Sequence, residues 1–357
     1  MQTEAVIFID NLKFILIIFV FLCKNNLNQM CRLYIIGNGF DRHHNINSSY
    51  EHFAYWLKKH DRQVFETYRR VCDYDALWCD FERSMAFVSR SYFLDLAMPF
   101  LPSLKGREAE NLTTAEIFLS GDWGADFAIE LVGRLKKRFS QWISSIKTPD
   151  DYQTRKIHIE QKARFLTFNY TDFLESQYGI ESRRINYIHG KRGSKSKGLI
   201  VGHGENGDDI FDQWYTRISK YRPIVKKGKK IYIPTPYLKL YREPTCYIPE
   251  YQYLTERIET YYDESRKPVN TIIEAEADYF KSLNDISEII VLGFSFSTVD
   301  LPYINTLITS NKNPQTLSWS ISKYNDNDEI RALKALTELG VNPQQVKFFN
   351  MDELMKA

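Results

Sequence analysis

Short apolar runs that stop abruptly at glycine, asparagine or histidine recur along this chain, with segments of helical periodicity between them. Leu33–Ile36 stops at Gly37-Asn38-Gly39, Arg164–Phe168 at Asn169, Ile185–Ile188 at His189-Gly190, Leu199–Val201 at Gly202-His203-Gly204, and Ile289–Leu292 at Gly293. Such runs read as buried strands, and strands alternating with helices predict a mostly parallel sheet. Helices are expected over Ser49–Lys59, Ala76–Ser89, Ala125–Ile146, Asp172–Tyr178, Val269–Leu283, Val299–Ile308 and Asp328–Leu339, with further strands over Leu317–Ile321 and Val346–Phe349. The expected fold class is α/β: a Rossmann-like, mostly parallel sheet with helices on both faces.

Two insertions interrupt the alternation, a helical one over about 50–150 and a Tyr/Pro/Lys-rich one over 205–268. Prolines 223, 234, 236, 244 and 249 are expected to forbid a long helix in the second, because an interior proline removes a backbone donor and clashes with the preceding turn. Residues 30–357 then form one domain carrying these insertions, preceded by an apolar leader over 1–29. Asp10, Asn11 and Lys13 break the leader and leave only Phe14–Leu22 unbroken, shorter than the ~20 residues a membrane span needs. Three readings stay open: a dispensable leader with the natural start at Met30, a membrane association through residues 6–23, and a signal segment, which lacks a small-residue cleavage site.

Composition narrows the function classes. The 43% hydrophobic and 26% charged content is that of a globular protein, not a disordered one. Against 45 acidic residues stand 47 basic ones, so no global field recruits nucleic acid; any such grip rests on the lysine runs Lys191–Lys197 and Lys226–Lys230. Five cysteines without a C-x-x-C pair exclude a disulfide framework and a zinc ribbon and fit reduced thiols in a cytoplasm.

In an open parallel sheet, ligands bind outside the carboxyl ends of the strands. The candidate residues are therefore Gly37, Asn38, Gly39 and Asp41 after the first strand, Asn169 and His189 after the next two, and Gly293, Ser295 and Asp300 after the fifth. Glycines let backbone N–H groups approach a ligand, and a helix N-terminus beyond them favours phosphate. Each residue also has a plainer reading: His189 as a core histidine, Asn169 as a cap of the helix near Asp172, Asp41 as a cap or turn residue, His203 as a turn residue. His43-His44, being adjacent, do not point to one side, and no metal site is expected. Gly293-x-Ser295-x-Ser297 lacks the closing glycine of a nucleophile elbow and no histidine follows His203, which excludes a serine hydrolase.

The motifs IIGNGFD, WCDFE around Trp78, TFNYTDFLE at Thr167–Glu175, NYIHG at Asn186–Gly190 and VLGFSFSTVD at Val291–Asp300 resemble, over about residues 31–310, the bacteriophage abortive-infection AbiH family. More remotely, the order of glycine turn, Thr-x-Asn, His-Gly and Gly-x-Ser resembles sirtuin-like NAD-consuming domains. That resemblance implies NAD as substrate, its diphosphate on Gly37, Asn38 and Gly39, Asn169 positioning the nicotinamide ribose or the attacking water, and His189 as general base. It further implies Ser295 and Asp300 holding the adenosine half. Thr171 stands where the sirtuin-like pattern has Asp, and the four-cysteine zinc module is missing, so the implied activity is NAD hydrolysis and not protein deacylation. The alternative is a non-catalytic nucleotide- or nucleic-acid-binding sensor. The expected partners are a nucleotide, a phage-derived trigger and further copies of the chain.

Overall fold

A computed structural model describes residues 31–89, 92–93, 113–194, 198–204, 224–227, 229–231 and 249–355. The strands are β1 (Arg32–Ile36), β2 (Arg164–Thr167), β3 (Ile185–Tyr187), β4 (Ile224–Lys226), β5 (Lys229–Ile231), β6 (Glu288–Leu292), β7 (Ser318–Ser322) and β8 (Val346–Phe349). Six of them form one sheet in the order β3-β2-β1-β6-β7-β8, every neighbouring pair parallel. β4 and β5 form a separate antiparallel hairpin. With the hairpin strands left out of the count, the order is that of doubly wound sheets, 3-2-1-4-5-6, in which the winding reverses at the first strand.

The helices, in chain order, are α1 (Asn38–His43), α2 (Tyr50–His60), α3 (Arg62–Val71), α4 (Phe81–Ser84), α5 (Thr114–Ser145), α6 (Phe173–Ser176), α7 (Pro249–Ser265), α8 (Val269–Ala275), α9 (Ala277–Ser282), α10 (Leu301–Ser310) and α11 (Asp326–Glu338). Strand alternation sends side chains to two cores. Tyr34, Ile36 and Phe165 face a ring-rich core with Phe53, Tyr68, Phe81, Phe139 and Trp142 from the helical insertion and Tyr261 from α7. Leu33, Ile35 and Leu166 face a second core with Phe280, Tyr303, Leu307 and Leu336 from α9, α10 and α11. Apolar residues on both faces of β1 and β2 are what an internal strand covered by helices on each side requires.

Several expected elements change. Leu199–Val201 is not a strand. Ala76–Ser89 contains only α4 and a single 3-10 turn, because Asp80 caps a helix at the Arg83 amide and the chain leaves helical geometry by Val88. α3 was not expected; Asp61 caps it at the Val64 amide, and Val64, Tyr68 and Val71 line its buried face. α5 starts eleven residues earlier than Ala125, at a capping box in which Thr113 and Glu116 satisfy each other's backbone. The second insertion does contain a long helix, α7: Pro249 is its first residue, where a missing N–H has no helical partner to lose. The expected helix Val269–Leu283 breaks at Glu276 into α8 and α9.

Candidate functional site

At the point where the winding reverses, the two glycine turns close on each other. The Gly37 N–H donates to the Leu292 carbonyl (3.0 Å) and the Gly39 N–H to the Gly293 carbonyl (2.8 Å). A Cβ on Gly39 would stand 2.6 Å from the Gly293 Cα, and one on Gly293, whose φ is +63°, would stand 2.2 Å from the Phe40 nitrogen. These glycines let β1 and β6 meet backbone to backbone; the Gly37 and Gly39 N–H groups are spent on that contact, and the Gly293 N–H donates to the Ser322 hydroxyl at 2.8 Å. Asn38, exposed, accepts from the Ser48 hydroxyl at 2.5 Å, and Ser295 is exposed on the neighbouring turn.

Beneath this rim two buried polar clusters share the segment after β2. Asn169 and Thr171 turn toward α1, while Tyr170 between them turns toward the helical insertion. The Asn169 Nδ2 donates to Asp41 Oδ1 (2.9 Å) and the Thr171 hydroxyl to Asp41 Oδ2 (2.6 Å). Asp41 is 2% exposed. Burial pushes its carboxyl up from 3.8 to about 6, although Thr171 and Asn169 favour the charged form. Asn169 does not cap α6, and its backbone N–H is taken by the Thr167 hydroxyl at 3.1 Å.

The second cluster is ionic. His189 Nε2 stands 3.5 Å from Asp300 Oδ1, Asp300 Oδ1 stands 3.4 Å from Lys267 Nζ, and Lys267 Nζ donates to Glu82 Oε2 at 2.9 Å. The Tyr170 hydroxyl lies 2.8 Å from both Glu82 Oε1 and the Ile200 carbonyl. Burial works against the Lys267 ammonium, but Asp300 and Glu82 outweigh it and hold it charged. Asp300 moves the other way: burial raises its carboxyl to about 6 despite Lys267, and Glu82 adds to the rise. Although Asp300 sits at the start of α10, its side chain makes no cap bond and faces His189 and Lys267 instead. Edge-on contacts from Phe168 and Tyr303 hold the His189 ring.

A crossing of two chain segments positions Lys267. A Cβ on Gly202 would stand 2.2 Å from the Ser265 carbonyl, so only glycine lets the two strands of chain pass. The His203 N–H then donates to Ser265 O (3.0 Å) and the Lys267 N–H to His203 O (2.8 Å). His203 itself is wholly buried in this crossing. The strand-end pattern singles out neither Glu82 nor Lys267. Glu82 closes the WCDFE motif, which is the signal that points to it; Lys267 stands just before Pro268, at the edge of the proline-rich stretch, and no spacing rule links it to Asp300.

Other candidates fall elsewhere. His44 bonds the Phe40 carbonyl and the Tyr178 hydroxyl, both at 2.7 Å, and burial lowers it to about 4, the behaviour of a core histidine. Among the described residues no three His, Cys, Asp or Glu side chains converge to hold a metal ion. In the first lysine run Lys191 pairs with Glu175 and Arg192 with Asp172; residues 195–197 lie outside the described residues, as does the leader. Among the described residues no helix is long and apolar enough to cross a membrane. Phe296, buried beside Ser295 and Ser297, holds φ +53°, a conformation costing such a residue ~1–3 kcal/mol and tolerated where packing overrides it; its ring lies edge-on to Phe294.

The fold and these clusters define a doubly wound α/β protein with buried carboxylate, lysine and histidine clusters at the carboxyl ends of its strands. The family model described as bacteriophage abortive infection AbiH matches residues 33–323, well over half of the chain. The chain belongs to the AbiH family, and with it to the proteins of phage abortive infection. No curated protein and no solved structure matches it.

Proposed function

We propose that the chain hydrolyses the N-glycosidic bond of NAD or a related nucleotide during phage infection. The observation that carries this reading is the placement of His189 Nε2 at 3.5 Å from Asp300, inside a buried ion network at the strand ends. The Asp300 carboxylate facing the ring favours a charged imidazole, the form His189 takes on when it accepts a proton as general base. In the reaction, water attacks C1′ of the nicotinamide ribose while the C1′–N1 bond breaks. The bonding pair neutralises the pyridinium and releases nicotinamide, and His189 takes the water proton. Asn169 holds a ribose hydroxyl or the water.

Because the N–H groups of Gly37 and Gly39 are spent between β1 and β6, diphosphate binding on this reading falls to the exposed rim of Asn38 and Ser295. The test is nicotinamide release from NAD by purified protein. Turnover is expected in the wild type, with at least ~100-fold loss in His189→Ala and in Asn169→Ala, within the range that positioned acid–base groups contribute. NAD binding without turnover in the wild type would replace the hydrolase with a sensor.

A further inference from the structure

Asp41 does not itself reach for a ligand. Both of its carboxylate oxygens are occupied from within the protein, one by the Asn169 amide and one by the Thr171 hydroxyl. A carboxylate only accepts hydrogen bonds, so the Asn169 group facing it must be the NH2. The other end of the amide, Oδ1, is then turned away from Asp41, and it accepts no hydrogen bond among the described residues although Asn169 is 6% exposed. An amide oxygen buried without a donor is costly unless a ligand or water supplies one.

We infer that Asp41 is a positioning residue that locks the Asn169 amide with its oxygen presented to the substrate, so that this subsite takes a hydrogen-bond donor. A sugar hydroxyl or a carboxamide NH2 fits it. A phosphate or carboxylate oxygen does not, because it can only accept and would face an amide oxygen backed by a carboxylate. Thr171 is part of the lock: by donating to Oδ2 it leaves Oδ1 for Asn169. The identification of the donor with part of a nucleotide rests on the proposed function; the lock does not.

Two measurements separate the two claims. In 15N-labelled protein the Asn169 side-chain amide, assigned by its loss in Asn169→Ala, is expected to exchange at least ~10-fold faster in Asp41→Leu, the size of one charge-assisted hydrogen bond. Equal exchange rates in the two proteins overturn the lock whatever the substrate. Calorimetry then compares NAD with its analogue lacking a nicotinamide-ribose hydroxyl and with the analogue whose carboxamide is a carboxylate.

Wild type is expected to prefer NAD ~10-fold over one of the two, which names the donor, and Asp41→Leu is expected to lose that preference. The pair Asp41→Asn/Asn169→Asp restores it, since the amide at position 41 then donates to the carboxylate at position 169, whose second oxygen still accepts. Failure of this pair to restore the preference, with melting temperature unchanged, also overturns the lock. Absence of NAD binding in the wild type removes the nucleotide reading and leaves the exchange result standing.

Discussion

Lys267 is wholly buried and bridges two carboxylates that come from different halves of the molecule, Glu82 from the helical insertion and Asp300 from the turn after β6. Removing one partner of a buried ion pair leaves uncompensated charge and costs about 3–5 kcal/mol. Lys267→Met is therefore expected to lose about that much at pH 8 in urea denaturation, and less at pH 5, where Asp300 takes up a proton more readily than an ordinary carboxylate. An equal loss at both pH values would mean that packing, not charge, explains the residue. Asp41 shows the opposite linkage to a salt-bridged acid. Its folded value of about 6 lies above the ordinary 3.8, so its contribution to stability is complete below 3.8 and is lost as pH rises through 6. At pH 8 that is a penalty on the order of 3 kcal/mol, since each unit corresponds to about 1.4 kcal/mol. Asp41→Asn is expected to raise the urea midpoint at pH 8 and to show no such gain at pH 4.

Among the elements, the turns after β1 and β6 carry the tightest constraint. Gly39→Ala and Gly293→Ala each drive a methyl group into backbone of the facing turn, and Gly293 also holds a positive φ. Losses above ~3 kcal/mol or failure to fold are expected, because neither backbone can retreat without leaving the sheet. Gly133 in α5 is the control: nothing lies within 4 Å of the position a Cβ would take, and it sits in a helix interior. Gly133→Ala is expected to stabilise by ~0.5–1 kcal/mol, read as a higher urea midpoint. The same elements show how far the strand pattern could be read. The strand ends bearing Gly37, Asn169, His189 and Gly293 were legible because parallel strands buried on both faces are short, apolar and sharply terminated. α3 and the start of α5 were not, although Asp61 and the Thr113-x-x-Glu116 box are capping signals, because their apolar positions are spaced among charges and glycines.

For the whole molecule, the ion network ties the insertion's ring-rich core to the sheet end that carries His189. Asp61, which caps α3, likewise binds Arg134 and Arg138 of α5. Burial pushes the Asp61 carboxyl up, but Arg138, the Val64 amide and Arg134 outweigh it and hold it below the ordinary range. In cells challenged with phage, His189→Ala is expected to lose protection while melting at the wild-type temperature, and Gly133→Ala to keep it. Protection by His189→Ala equal to wild type would remove His189 from the site at the scale that matters to the cell.

The local pattern of residues was enough to determine the sheet, its parallel strands, the chain positions where polar groups gather and the AbiH resemblance. Those depend on periodicity and on what can follow a buried strand, which are properties of neighbours in sequence. The partnerships were decided only by tertiary structure: glycines that meet each other, Asp41 turned inward onto Asn169 and Thr171, and Asp300 bound to His189 and Lys267. Hydrogen bonds and ion pairs between residues on different elements, far apart in the chain, leave no spacing in the sequence, and the low-dielectric interior that gives them their strength exists only once the two cores have closed over the sheet.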